Sequence, residues 1–480
     1  MTMRTEVALA AREYHGFEAA GRRFLYMVPS AAVFGLDDTA EAVLDGLAGG
    51  KMSAAEIAVG LAGRFAEDEV LASVNELMHV HAIGEADVLQ EPMAQQMPPT
   101  PFPLTTMVLN VTNQCNLSCG YCYEYGDDKI VDTENGKQSK FMSQETARQS
   151  VEFMLEESQD IETVHLTFFG GETLMNFPVL QETVAYARRR AAEMGKGIEF
   201  SLTTNATLLR PDIIEWLADN DIGVTVSIDG PKEMQDEFRV FKGGGGTYDV
   251  VVPKVRALLR RHRSRPIAAR VTLTRQVLDV QRIYRHLTEE IGFWEVGFAP
   301  VTTSWTRDYA IGDKGFDTML GQFNELAEDF LAAALENRHH GFSNVKDTIE
   351  EIHKGVSKAY PCGAGLGLRG VSTDGDVALC HRFAGSDEHK LGTVRDGVDH
   401  SLQQKFLEEH HLAHKTDCQT CWARPLCSGG CYHEAYTRYG STTAPNLHYC
   451  EWIRSWTDTC LRIYGELAAR NPDYLTIFDG

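Results

Sequence analysis

No cysteine occurs before position 115, no apolar stretch exceeds the six residues Phe330–Leu335, and bases are outnumbered by acids, 45 to 68. Each shortage excludes something. Six apolar residues fall far short of the roughly 20 that a membrane-spanning helix needs. A net charge of −23 argues against a nucleic-acid partner, because such binding rests on neutralising phosphates with Lys and Arg. It argues equally against docking on an anionic membrane surface. The opening residues, MTMRTEVALAAREYHG, interleave charge with alanine and lack the apolar core of a secretory signal; a cytoplasmic protein is expected. No internal repeat or low-complexity segment stands out. Gly243–Gly246 is not followed by Gly-Lys-Ser/Thr, so it is a turn rather than a phosphate loop. Proline is sparse, yet five of the sixteen lie between Pro92 and Pro103, which reads as an extended linker. The 480 residues suggest about three domains.

The unit before the linker has a clear pattern. Arg23–Val28 is strand-like and is stopped by Pro29. Asp37-Asp38-Thr39 opens an apolar-periodic helix that ends at Gly49-Gly50. Ser53 and Glu56 form a capping box, with Ile57, Leu61 and Phe65 on one face. A third helix carries Val70, Val74, Leu77 and Met78 at the helical period. The shape is winged-helix-like, which by default suggests DNA binding. However, residues 37–87 hold eleven acids and only two bases, Lys51 and Arg64, so a peptide or protein partner fits better.

After the linker, strands are expected at Thr105–Val111, Val164–Phe169, Ile198–Leu202, Val224–Ile228, Ile267–Leu273 and Val296–Val301. Amphipathic stretches near 143–158, 178–194, 211–220, 248–263 and 278–290 separate them. Six β/α units in succession imply a parallel sheet with right-handed crossovers, a partial or full barrel. From about 360 onward glycine and cysteine rise, periodicity fades, and the fold is expected to depend on metal.

Eleven cysteines, an odd and clustered set, do not describe an evenly stapled secreted scaffold. In a long cytosolic chain they point to metal or redox chemistry. Cys115, Cys119 and Cys122 follow the first barrel strand, at the strand end where active sites of such folds lie. Three close thiolates can hold three irons of a [4Fe–4S] cluster and leave the fourth iron open. Structural zinc usually takes four protein ligands, and the next histidine is His165. A second set comprises Cys362, Cys380, Cys418, Cys421, Cys427, Cys431 and Cys450; its Cys418–Cys431 part also has zinc-ribbon spacing. Cys460 reads as a core residue.

The C-x3-C-x2-C loop with Tyr121 before its last cysteine resembles the signature of radical S-adenosylmethionine (SAM) enzymes. Gly170-Gly171-Glu172 resembles that family's motif for the SAM amino group, with Thr203-Thr204-Asn205 at the next strand end. Ser227 and Asp229, in SIDGP, resemble its ribose and carboxylate contacts, and Arg239 and Arg270 are candidates for the carboxylate or adenosine. The second cysteine set resembles a SPASM domain with two auxiliary [4Fe–4S] clusters. The resemblance implies Cys418, Cys421, Cys427 and Cys450 on one cluster and Cys362, Cys380 and Cys431 on the other. Its further ligand is unassigned: the position that supplies an extra cysteine in some members is Val356 here, and His353, Cys460, a substrate thiolate or an open iron remain. The first unit resembles the leader-binding domains of peptide-modifying enzymes, which add the leader as a strand to a sheet edge.

The expected organisation is therefore a winged-helix-like peptide-recognition domain (1–90), a linker (91–104), an α/β radical SAM partial (β/α)6 barrel (105–345) and an Fe–S-rich SPASM domain with a C-terminal helix (346–480). The overall plan most resembles the maturation enzymes of quinohemoprotein amine dehydrogenase. That resemblance implies three [4Fe–4S] clusters, SAM, a small Cys-rich peptide substrate and a flavodoxin- or ferredoxin-type electron donor. The implied reaction joins Cys sulfur to methylene carbons of Asp or Glu. Asp236 is the candidate base for the thiol, with a solvated loop carboxylate or an ion pair to Arg239 as its plainer readings. Alternatives are a formylglycine-generating sulfatase maturase (these place an Asp where His381 stands), another cross-linking or epimerising maturase, and a non-catalytic Fe–S scaffold. Asp127-Asp128 reads as a solvated loop, and His339-His340 and His410-His411 as surface pairs.

Overall fold

The computed structural model describes residues 6–88, 97–98, 101–126, 128–131 and 138–479. Most of the linker expected at 91–104 lies outside these residues, as does Asp127. The chain opens with β1 (Ala8–Ala11), β2 (Tyr14–Ala19), β3 (Arg22–Met27) and β4 (Val33–Gly35), then α1 (Asp38–Leu47), β5 (Met52–Ser53), α2 (Ala54–Leu61), α3 (Glu67–His79) and β6 (Ile83–Glu85). The Asp37 carboxylate caps α1 by accepting from the Ala40 amide, and the Ser53–Glu56 capping box starts α2. Val43, Leu44, Ile57, Val70 and Val74 form one small core. Of the six strands here only β3 was expected. β1 lies between β5 and β6, antiparallel to both. The sheet β2-β3-β4 has a face toward each core: Leu25 and Met27 belong to the small core, and Phe17, Phe24 and Tyr26 to the core of the main body.

The main sheet begins with six parallel strands in chain order: β7 (Thr106–Thr112), β8 (Thr163–Gly170), β9 (Gly197–Thr204), β10 (Gly223–Ser227), β11 (Ile267–Leu273) and β12 (Glu295–Pro300). Each coincides with an expected strand to within two residues. Helices α4 (Gln144–Glu157), α5 (Phe177–Glu193), α6 (Pro211–Asp219), α7 (Lys232–Phe238), α8 (Tyr248–Arg261) and α9 (Val280–Arg285) alternate with them, followed by α10 (Asp313–Leu335) and α11 (Ser343–His353). α9 continues as one π-helical turn, His286–Ile291, ended by Gly292 in the left-handed region at φ 100°.

The sheet does not stop at β7. β13 (Leu368–Val371) pairs with it in parallel, Leu368 opposite Thr106. Antiparallel β14 (Asp376–Ala378), β15 (Lys390–Thr393) and β16 (Gly397–Val398) follow, making ten strands. The cysteine-rich segment thus grows from the barrel sheet itself. It ends in α12 (His400–His410), α13 (Arg424–Cys427), α14 (Tyr432–Tyr439) and α15 (Cys450–Arg470). Gly465 of α15 abuts Phe17 and Ala19 of β2, and a Cβ there would collide with Ala19. Cys460 is buried in the same helix.

One surface expectation is corrected. His410 and His411 are 3% and 4% exposed; His410 donates through Nδ1 to the Phe406 carbonyl at 2.7 Å and faces Thr442 Oγ1 at 2.8 Å. His339 does lie outside, stacked on Trp294. Among the described residues no helix is long and apolar enough to cross a membrane.

Candidate active site

The C-terminal ends of β7–β12 surround a cavity of about 560 Å³. Cys115, Cys119 and Cys122 line it. Their loop is fixed at several points. Thr112 Oγ1 donates to the Lys140 carbonyl at 2.9 Å and accepts from the Gln114 amide at 3.0 Å. The Ser118 amide bonds the Val240 carbonyl at 2.8 Å, and the Cys122 amide bonds that of Cys119 at 3.0 Å. Cys115 Sγ accepts from the Leu117 amide at 3.5 Å. Burial pushes the Cys115 and Cys122 thiols up to about 12. Three thiols held protonated by burial, grouped on one cavity wall, fit a cationic iron–sulfur group that would displace their protons.

The Gly170-Gly171-Glu172 turn is tied to this loop. The Gly171 amide bonds the Thr112 carbonyl at 3.0 Å, and the Glu172 amide bonds that of Gln114 at 2.8 Å. Gly170 has φ 122°, and a Cβ on either glycine would strike that loop's backbone. The close approach that needs glycine is therefore between two segments of the chain, with the cavity at their edge.

The acids in these strand-end motifs lie differently from expectation. Glu172, expected to meet the SAM ammonium, is 1% exposed and absent from the cavity wall. Its Oε1 accepts from Thr204 Oγ1 at 2.6 Å and the Leu174 amide at 3.1 Å, and its Oε2 accepts from the Asn205 amide at 2.8 Å. Burial raises its pKa against those bonds. Thr204 and Asn205 line the cavity in its place. Asp229, expected at the ribose, is wholly buried. It accepts from Tyr121 Oη, from Arg239 Nε at 2.8 Å and from the Thr272 amide at 3.0 Å. Ser227, Arg239 and Arg270 reach the wall.

Asp236, the expected base, does not reach the cavity wall. Its Oδ1 accepts from the Thr247 and Tyr248 amides at 2.7 and 2.9 Å, and its Oδ2 lies 3.3 Å from Lys232 Nζ. It caps the start of α8, where a carboxylate meets unpaired amides and the positive helix end. Its expected pairing with Arg239 is absent, because Arg239 is held by Asp229. Gln235 joins the Asp229 amide to Thr247 Oγ1, at 2.8 and 2.9 Å. Asp128 is not a solvated carboxylate: it pairs with Arg307 at 2.8 Å.

The second cysteine set sits on turns and helix ends on both sides of β13, Cys362 before it and the others after it. Charges on Cys431 and Cys362 raise the Cys380 thiol, after burial. Cys418 responds instead to Cys427, Cys421 and Cys450. Cys380 thus has Cys431 and Cys362 as its charged thiol neighbours, and Cys418 has Cys427, Cys421 and Cys450. Lys415 reaches both: its pKa falls on burial, and Cys418, Cys427 and Cys362 oppose that fall. His353 bonds Asp479 at 2.8 Å and Cys460 is sealed in α15, so both candidates for a further ligand are otherwise engaged. Among the described residues no three His, Cys, Asp or Glu side chains converge as tightly as a single metal ion requires.

Four more residues line the cavity without a role assigned from the sequence: Tyr123 and Glu124, directly after Cys122, and His381 and Arg382, after Cys380. Burial pushes Glu124 up to about 7 and holds His381 down at about 3. His381 and Arg382 arrive only through the β7–β13 pairing, a contact between residues far apart in the chain. The one local signal was a charged residue two places after Cys380.

Residues 109–276 match the profile of the Radical SAM superfamily. The cysteine-type anaerobic sulfatase-maturating enzyme of Clostridium novyi is 22% identical over 367 residues, covering 74% of this chain and 94% of that protein. The serine-type enzyme of Bacteroides thetaiotaomicron is 28% identical over 374 residues, 72% and 86%. In fold, the structure of anSMEcpe with bound AdoMet matches with a TM-score of 0.63 at 21% identity, over 78% of this chain and 99% of that one. Streptococcus suis SuiB bound to its precursor peptide SuiA matches with 0.52 at 14%, over 92% and 100%. Profile, sheet and three-thiol loop agree: residues 109–276 are a radical SAM domain, and the chain is a radical SAM enzyme that uses [4Fe–4S] and SAM.

Proposed function

We propose that this enzyme modifies a ribosomally made peptide by forming intrapeptide thioether cross-links, joining Cys sulfur to the methylene carbon of Asp or Glu. The small subunit of quinohemoprotein amine dehydrogenase is the substrate that the sequence resemblance suggests. One observation carries the reading. The three-thiol loop and the residues directly after Cys380 are walls of a single cavity, so a radical-generating site and an auxiliary site face the same substrate. In this reading Cys115, Cys119 and Cys122 hold the SAM-binding cluster. Gly170, Gly171, Thr204, Asn205, Ser227 and Arg270 face SAM, while Glu172, Asp229 and Arg239 hold those strand ends in place. Cys418, Cys421, Cys427 and Cys450 hold one auxiliary cluster; Cys362, Cys380 and Cys431 hold the other. When bound, these groups supply a radical that takes a hydrogen atom from carbon, and acceptors for one electron.

The chain's own residues do the rest. Buried walls keep bulk water from the reacting carbon. The cross-link removes two hydrogens: one as an atom from the methylene, one as a proton from the thiol together with an electron. Residues 1–90 hold the leader, 105–345 form the barrel and 346–480 the auxiliary domain; a flavodoxin- or ferredoxin-type protein delivers the reducing electron. A second reading, oxidation of a Ser or Cys side chain to formylglycine, is favoured by the names of the relatives. Anaerobic incubation with SAM, reductant and the peptide, followed by fragmentation mass spectrometry, separates the two. Loss of two hydrogens per bond with cysteines closed to alkylation supports thioethers. An aldehyde reactive toward hydrazide supports the second reading. Cys119→Ala is expected to abolish SAM cleavage, read as deoxyadenosine by chromatography.

A further inference from the structure

Three arginines line the cavity: Arg239, Arg270 and Arg382. Arg239 is paired, with Asp229 at 2.8 Å. Among the described residues the other two have no carboxylate within ion-pair distance. Arg382 Nη1 donates to Thr302 Oγ1 at 3.1 Å, and its guanidinium carbon lies 4.7 Å from the centre of the Tyr123 ring. Arg270 makes no side-chain hydrogen bond to any described residue. It is exposed by area yet enclosed on most sides, because the surface it exposes is cavity wall. The acid on this wall, Glu124, is buried and hydrogen-bonds Tyr125. Negative charge lies near both guanidiniums, from Cys431, Cys380 and Glu434 toward Arg382 and from Asp347 toward Arg270, but no carboxylate of the described residues touches either, so each faces the enclosed space with its fork unpaired.

SAM brings one carboxylate. Arg270 stands on β11, whose neighbour β10 ends in Ser227 on the SAM-facing side of the site. Arg382 comes from another segment, two residues after the auxiliary cysteine Cys380, beside Tyr123, and is left over. We infer that Arg382 binds the carboxylate of the substrate's acidic side chain and so presents the methylene next to that carboxylate for modification. This rests on the thioether reading above. The chemistry is specific. Asp and Glu differ in length but share a –CH2–COO⁻ terminus. Anchoring the carboxylate in a guanidinium fork fixes the adjacent methylene in the same place for both. A neutral Ser or Cys side chain would leave Arg382 uncompensated.

The test uses the cluster-loaded full chain with SAM and a synthetic core segment of the amine dehydrogenase small subunit, without its leader, so that leader affinity does not mask the cavity. A second peptide has its target Asp and Glu replaced by Asn and Gln. Binding is read without reductant, and cross-linking with it. The wild type is expected to favour the acidic peptide by roughly 10- to 100-fold, the range for a hydrogen bond to a charged group. Arg382→Gln should bring that ratio close to one, and Arg382→Lys should keep part of it. A preference that survives in Arg382→Gln overturns the inference. So does a variant in which only the auxiliary-cluster spectrum or potential shifts, since Arg382 then merely balances thiolate charge. If the wild type cleaves SAM but leaves the same acidic peptide unchanged when it carries its leader, the thioether reading fails instead; the binding ratio of the leaderless pair still decides the role of Arg382, because it needs no turnover.

Discussion

Glu172 and Asp229 have the residue types that a cofactor contact requires, at the strand ends where one is expected. Each turns its oxygens inward to backbone amides and hydroxyls of the next strand end. They shape the cavity without facing it, and this makes a prediction unlike that for a direct contact. Glu172→Ala leaves the Asn205 amide and the Thr204 hydroxyl unsatisfied in a buried place. It should therefore lower stability by about 1–3 kcal/mol as well as weaken SAM binding, read together by thermal unfolding and equilibrium dialysis. Loss of SAM affinity with unchanged stability would restore the direct contact. Asp236→Ala should cost about 1 kcal/mol through the lost cap while deoxyadenosine formation continues. The strand-end motifs were legible because their spacing is local. The direction of the carboxylates was not, since it depends on amides 33 and 43 residues away.

At the scale of elements, β7–β12 were readable because buried parallel strands carry dense runs of Val, Ile, Leu and Phe bounded by turns. β1 was not: Ala8–Ala11 reads as helix-forming, and it becomes a strand only through pairing with β5 and β6. β13 was hidden for a similar reason. Four residues, LRGV, owe their state to β7. Between β13 and α15 the elements are short, and their own core is small, built on Leu379, Phe383, Leu391, Phe406, Leu407 and Tyr432. Iron removal should accordingly leave the parallel sheet folded while the segment from Cys362 to Cys450 opens. Limited proteolysis of chelator-treated protein should cut within that segment first; equal protection before and after chelation would show that it folds without metal.

For the molecule as a whole, the first unit is less separable than its linker suggests. His15 stacks on Trp422 with centroids 3.6 Å apart and bonds Asp458 of α15 at 2.7 Å, and Glu13 pairs with Arg424. The same sheet covers α15 through Phe17 and Ala19. Deleting residues 1–95 should remove peptide modification, and it should also uncover apolar surface on α15. A fall in melting temperature and a rise in self-association, seen by light scattering, are expected alongside any loss of activity. A truncated chain as stable and monodisperse as the full one would show the unit to be an independent module.

The hydrogen bonds between β7 and β13 carry a kinetic consequence. Because the two strands belong to one sheet, the cysteine loop after β7 and Cys380 after β14 ride on the same rigid frame. On the proposed function, their separation is expected to stay the same as the peptide comes and goes, and an electron crossing between them would meet a gap of constant width. Traffic must then be timed by what fills the cavity rather than by halves that open and close. On that reading, an empty cavity would leave the oxidising side idle, and an occupied one would complete the path.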